Sequence, residues 1–136
     1  MIIKLLRLLN TESNCTLPKI SQSINQSVIQ TLGMIAQVNQ IEPELIRSEN
    51  GSFKLSRQIN WLNQEQINSL LMTHEINHQI IILGETLSTN TYSLNNINSY
   101  PRPTVISCEL QTGGRGRFGR KWLSKIATDL TSSLIY

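Results

Sequence analysis

Charge is scarce in this chain. Asp, Glu, Lys and Arg make up 15% of its 136 residues, so solubility rests heavily on Asn, Gln, Ser and Thr. Ile and Leu nevertheless recur throughout, with 39% hydrophobic residues in all, and this excludes a disordered segment. Cysteine is scarce too. Cys15 and Cys108 stand far apart, without CxxC or Cys/His spacing. That argues against a disulfide framework and for two reduced thiols in a cytoplasmic protein. Long apolar runs are missing, so no membrane span is expected. The first residues, Met1 to Leu9, are apolar but interrupted by Lys4 and Arg7, and they lack the uncharged run of a signal peptide. The net charge of +3 is too mild to imply nucleic acid by itself. Its distribution says more, because Arg115, Arg117, Arg120 and Lys121 fall within seven residues with no acid among them.

The apolar pattern divides the chain. Ile2, Leu5, Leu6 and Leu9 recur at helical spacing. Residues 16–24 suggest a second short helix, and residues 25–38 a third, with Val28, Ile29, Leu32 and Ile35 as its core stripe. Gly33 lowers the propensity of that helix by about 1 kcal/mol relative to Ala. Leu45-Ile46-Arg47 and Ser52 to Leu55 flank Asn50-Gly51, a hairpin signal because both turn residues tolerate positive φ. Three helices and a hairpin is the order of a winged helix-turn-helix, here expected over residues 1–58. Residues 59–78 read as a connector carrying a helix from Leu62 to Met72 with Asn63 as its N-cap. Residues 79–136 then read as strand (79–83), helix opening at Ser88-Thr89-Asn90, strand (104–110), a Gly/Arg loop and a last strand (130–136). The expected class is α+β: a winged helix, then the first part of a mixed sheet with helices.

The Gly/Arg loop carries the most specific chemistry: Gln111-Thr112-Gly113-Gly114-Arg115-Gly116-Arg117-Phe118-Gly119-Arg120-Lys121-Trp122. Glycines let backbone approach a ligand closely, and successive amides can form an anion-binding nest. Arginines add forked donors matched to carboxylate and phosphate, each charge-assisted bond contributing roughly 1.5–3 kcal/mol. Composition alone favours a flexible basic loop, or an Arg/Gly tract that touches RNA, over any specific enzyme. What shifts the balance is position: the loop lies between two strands, downstream of Ser88-Thr89-Asn90 at a strand-to-helix junction.

Ser88-Thr89-Asn90, Gln111 and Gly113 to Trp122, in that order and spacing, resemble the biotin–protein ligase family, whose bifunctional members also repress the biotin operon through an N-terminal winged helix. The resemblance implies a biotin/lipoate-ligase-type sheet. It also implies ATP-dependent activation of biotin to biotinyl-5′-AMP, with Mg2+ accompanying ATP. A lysine of the biotin carboxyl carrier protein of acetyl-CoA carboxylase would then take up the biotinyl group. By position, Ser88, Thr89 and Gln111 would face biotin, Arg115, Gly116 and Arg117 the carboxylate and adenylate phosphate, and Trp122 the loop or the adenine, with Asn90 and Gly114 in the same biotin/adenylate site. Homodimers and biotin-operon DNA are further partners that the family implies.

Two positions depart from the family pattern: Leu87 stands where Asp is common, and Phe118 where Arg is frequent. The family's K-W-P-N-D segment, with its essential lysine, would lie beyond Tyr136. No catalytic residue is therefore assigned, and the chain is expected to be a ligase fragment inactive alone. A winged-helix regulator with a vestigial ligase segment, or a remnant without function, are the alternatives.

Two weaker signals complete the reading. Gln26, Ser27, Gln30 and Thr31 on the third helix have the chemistry to meet DNA bases, but that helix holds no Lys or Arg to neutralise phosphates, so the footprint is weak. His74-Glu75-Ile76-Asn77-His78 fits the H-E-x-x-H zinc pattern, yet it runs straight into a strand and has no third ligand nearby, so no metal site is expected.

Overall fold

The computed structural model describes residues 1–122 and 124–136. The chain is a mixed α/β protein in two compact units, Met1–Asn60 and Trp61–Tyr136.

In the first unit, α1 (Ile2–Thr11) is followed by β1 (Cys15–Thr16), α2 (Leu17–Ile24), α3 (Val28–Ile41), β2 (Ile46–Glu49) and β3 (Ser52–Leu55). The strands form an antiparallel sheet in the order β1-β3-β2. Ile2, Leu5, Leu6 and Leu9 of α1 are buried, as the helical spacing requires. The turn between β2 and β3 uses Asn50 (φ 50°) and Gly51 (φ 76°), the left-handed pair that a two-residue hairpin demands. Helix α2 stops where Asn25 turns left-handed (φ 57°), and Ser27 then opens α3 with a capping box closed by Gln30. Two asparagines lock the loops. Asn39 exchanges two side-chain bonds of 2.9 Å with the backbone of Ile46, and Asn10 does the same with Ile59 at 2.8 and 2.9 Å.

Three expectations need correction here. The stripe of Val28, Ile29 and Leu32 faces outward: Ile29 is 83% exposed, and the buried residues of α3 are Thr31, Ile35 and Val38. The helix is apolar on more than one side, so spacing alone does not fix which side packs. Thr31 was expected as a base contact, yet it is fully buried. Its hydroxyl donates to Ser27 O at 2.9 Å and accepts from Ser21 Oγ at 2.9 Å, which ties α3 to α2. Finally, Cys15 and Thr16 form a two-residue strand against Phe53 and Ser52, so the helix expected over residues 16–24 begins at Leu17.

The second unit begins with α4 (Gln64–Thr73), capped by the Asn63 side chain, which accepts from the Gln66 amide at 3.0 Å. Its remaining elements are β4 (Gln79–Thr86), α5 (Thr89–Asn95), β5 (Thr104–Gln111) and β6 (Thr131–Ile135). The sheet order is β4-β5-β6, with β4 and β5 parallel and β5 and β6 antiparallel. β5 is central, and Ile106 through Leu110 are all buried, as expected for a strand covered on both faces. Helix α4 packs beside β4, and the Leu62 amide before it donates to buried Glu109 at 2.7 Å. The H-E-x-x-H segment is not helical. Helix α4 ends at Thr73, His74 is its C-cap, and Glu75 is left-handed (φ 56°), so the two histidines do not share a helix face.

Candidate functional site

Parallel pairing brings the carboxyl ends of β4 and β5 side by side, with Thr86 opposite Gln111. Loops leaving the carboxyl ends of adjacent parallel strands are where α/β sheets hold ligands. Here those loops are the two segments that the sequence singled out. Leu87-Ser88 leads from β4 into α5, and Thr112 to Lys121 leads out of β5.

Backbone bonds join them. The Thr112 amide donates to Thr86 O at 3.0 Å, and the Gly113 amide to Leu87 O at 2.7 Å. The glycines permit this approach. A Cβ on Gly113 would collide with Leu87 Cδ1 and lie 3.3 Å from Leu87 O. A Cβ on Gly114 would collide with Gln111 Nε2 and lie 3.0 Å from Trp122 Cβ. Beyond Gly114 the loop folds back on itself. Trp122 N–H donates to Gly114 O at 2.8 Å, and Gly116 N–H donates to Arg120 O at 2.7 Å. Arg117–Gly119 forms a single 3-10 turn at the tip, with Phe118 left-handed (φ 60°) and 96% exposed.

Side chains complete the junction. Ser88 is the N-cap of α5, and its Oγ accepts from the Thr91 amide at 3.4 Å. Thr89 is buried. Its amide and its hydroxyl both donate to Gln111 Oε1, at 2.9 and 3.3 Å. Asn90 is exposed on the first turn of α5. Arg115, Arg117, Arg120 and Lys121 are all exposed, and among the described residues none of them forms an ion pair. Trp122 is half exposed, with its Cβ over Gly114.

Ser88, Thr89, Gln111, Gly113 and Gly114 therefore meet in one place. The expected nest of free amides is not formed by Gly113 and Gly116, whose N–H groups are spent on Leu87 O and Arg120 O. The exposed Arg115, Arg117 and Arg120 guanidinium groups and the Lys121 ammonium offer anion donors in this conformation. Gln26, Ser27 and Gln30 of the suggested DNA surface lie in the other unit. One participant escaped the sequence reading: Ser133 of β6, whose Oγ donates to Thr89 Oγ1 at 2.9 Å. A serine in a Thr-Ser-Ser run at the head of an otherwise apolar strand was the available signal.

Among the described residues of the junction, none is an activated nucleophile. Cys108, the nearest thiol on β5, is pushed above its ordinary range by burial, which keeps it protonated at neutral pH. Among the described residues, no three His, Cys, Asp or Glu side chains are grouped to hold a metal ion.

A strand–helix–strand unit with a basic glycine loop at its carboxyl end is the kind of α/β segment on which ligand sites are commonly built. Residues 83–136 match the model of the biotin/lipoate A/B protein ligase family, and the match runs from within β4 to Tyr136. That family consists of ligases that use ATP to attach biotin or lipoate to carrier proteins, and residues 83–136 are similar to a segment of it. Among the described residues no helix is long and apolar enough to cross a membrane.

Proposed function

We propose that the second unit forms the vitamin- and adenylate-binding part of a biotin–protein ligase. The observation that carries this reading is the convergence of Ser88, Thr89, Gln111 and the Gly/Arg loop at the ends of β4 and β5. In the reaction proposed, a biotin carboxylate oxygen attacks the α-phosphorus of ATP. The bond to the bridging oxygen breaks and pyrophosphate leaves. A lysine amine of the biotin carboxyl carrier protein then attacks the acyl carbon of biotinyl-5′-AMP and expels AMP. Both steps need alignment and charge neutralisation more than an enzyme nucleophile. Arg115 and Arg117 supply forked donors for the carboxylate and the phosphate, and Gly114 and Gly116 let the loop fold close to them. Trp122 offers an indole face beside the loop, suited to adenine. Any Mg2+ would arrive on the ATP phosphates.

Biotin is favoured over lipoate by the polar character of the junction. A ureido group presents a carbonyl acceptor and N–H donors, whereas a dithiolane ring presents neither. A site built to hydrogen-bond one ligand rejects an analogue that lacks the group, because its own polar atoms are left unpaired. Calorimetric titration of the purified chain tests this. Biotin is expected to bind at least tenfold more tightly than lipoate, and the adenylate more tightly again. Absence of heat with both vitamins at millimolar concentration would overturn the reading.

A second reading concerns the first unit. Its order α1-β1-α2-α3-β2-β3, with the sheet order β1-β3-β2, supports a winged helix-turn-helix with α3 as the recognition helix. Gln26, Ser27 and Gln30 sit at the start of α3, away from the core, as a base-reading surface requires. We infer from this a DNA-binding regulator of biotin genes joined to the ligase segment. A gel shift at low salt with the biotin-operon promoter tests it, and no retarded band would remove it.

A further inference from the structure

Ser133 belongs to neither the Ser-Thr-Asn segment nor the Gly/Arg loop, and it reaches the junction only through the pairing of β6 with β5, where it lies opposite Ile106. Its hydroxyl donates to Thr89 Oγ1 at 2.9 Å. Thr89 passes its own hydroxyl proton to Gln111 Oε1 at 3.3 Å and its amide proton to the same oxygen at 2.9 Å. Gln111 Oε1 has no proton and only accepts, so the single Thr89 hydroxyl proton goes to it and Thr89 Oγ1 is left to accept from Ser133. Two donors on Oε1 hold the Gln111 carboxamide with its oxygen toward α5 and its Nε2 over Gly114, at the entrance of the basic loop. Among the described residues, none accepts a hydrogen bond from Nε2.

We propose that Ser133 is a positioning residue for this site. Acting through Thr89, it fixes the Gln111 carboxamide so that the two Nε2 donors face a ligand bearing a carbonyl acceptor. The proposal rests on the biotin reading above for the identity of that ligand. Without the Ser133 hydroxyl, Thr89 Oγ1 is a buried oxygen that has lost its donor, and its proton is free to turn away from Gln111. A buried polar network that loses one member is weakened beyond that single bond.

The test combines two measurements on the full chain. Biotin affinity is read by calorimetry. The carboxamide is read from the 15N-1H resonances of the Gln111 side chain, identified by their loss in Gln111→Ala. Ser133→Ala is expected to weaken biotin binding about tenfold, the scale of one hydrogen bond lost from a buried network. It is also expected to move the Gln111 side-chain resonances and the Thr89 amide. Ser133→Thr, which restores a hydroxyl, is expected to bring both back to within about twofold of the parent affinity. Should Ser133→Ala lose the dispersed spectrum of a folded chain, Ser133→Cys keeps the volume with only a weak donor and takes its place. Parent-like affinity together with unmoved Gln111 resonances would overturn the proposal. If the parent chain binds no biotin, the biotin reading fails by itself. The resonances still decide the relay, and unmoved signals reject it.

Discussion

A single hydrogen atom in place of a methyl group separates Gly114 from alanine, and the surroundings decide what that difference costs. A Cβ at Gly114 meets Gln111 Nε2 and lies 3.0 Å from Trp122 Cβ. The Gln111 end could swing aside, but only by giving up its bonds to Thr89. The Trp122 Cβ is held by the backbone bond from Trp122 N to Gly114 O at 2.8 Å. Gly114→Ala is therefore expected to destabilise the second unit by about 1–3 kcal/mol, the range for overpacking. It should also weaken biotin binding more than tenfold. Gly33 provides the contrast. It lies within α3 with nothing near its absent Cβ, and replacing it with Ala should stabilise the first unit by up to about 1 kcal/mol. Denaturant unfolding of both variants checks the pair, and equal changes of the same sign would refute the close-approach account of Gly114.

At the scale of elements, helix α3 shows what a sequence can and cannot disclose. The helix itself was legible but its start was not: it was expected from residue 25, whereas Ser27 and Gln30 form a capping box that opens it at Val28. Its buried face was not legible either. Val28, Ile29 and Leu32 are as apolar as Ile35 and Val38, so hydropathy offers two phases of nearly equal merit. The packing is settled by a polar residue, Thr31, whose hydroxyl is satisfied internally by Ser21 and Ser27. Ile29→Lys is then expected to change stability by no more than about 0.5 kcal/mol, as an exposed position allows. Ile35→Ala should cost on the order of 2–5 kcal/mol. Thermal unfolding measures both, and a large loss from Ile29→Lys would show that the outer face is buried in solution. The strands and hairpin were readable because short apolar runs, Asn50-Gly51 and the caps at Asn63 and Ser88 agree with one another. The two-residue β1 was too short for any periodicity. At the site, the meeting of Ser88, Thr89 and Gln111 was readable from spacing and family resemblance. Ser133 was not, because it reaches Thr89 only through the β5–β6 register. Two amides that a nest would use, those of Gly113 and Gly116, are consumed by partners that the linear sequence does not reveal.

Across the whole molecule, charge is divided in a way that bears on both functional readings. Met1–Asn60 holds six Lys and Arg against four acids, and Trp61–Tyr136 six against five. The totals are similar, but the arrangements differ. In the first unit each acid is paired with a cation: Glu12 with Lys19, Glu42 with Arg57, Glu44 with Arg47 and Glu49 with Lys54. Such pairs add little stability when exposed, but they cancel the field that would attract phosphates. In the second unit, four of the six cations crowd into Arg115 to Lys121, exposed and, among the described residues, without ion pairs. Any non-specific affinity of this chain for DNA is then expected to come from the basic loop, not from α3. Each phosphate neutralised on a duplex contributes about 0.9 to the slope of log affinity against log salt. Changing Arg115, Arg117, Arg120 and Lys121 together to Gln should reduce that slope by roughly 3, while Gln26→Ala with Gln30→Ala leaves it unaltered. Filter binding over a salt series separates the two. If retention of a biotin-operon fragment instead survives loss of the loop charges and disappears with Gln26→Ala and Gln30→Ala, the charge argument fails. The first unit would then be reading base edges despite its paired cations, which is the behaviour required of a working recognition helix.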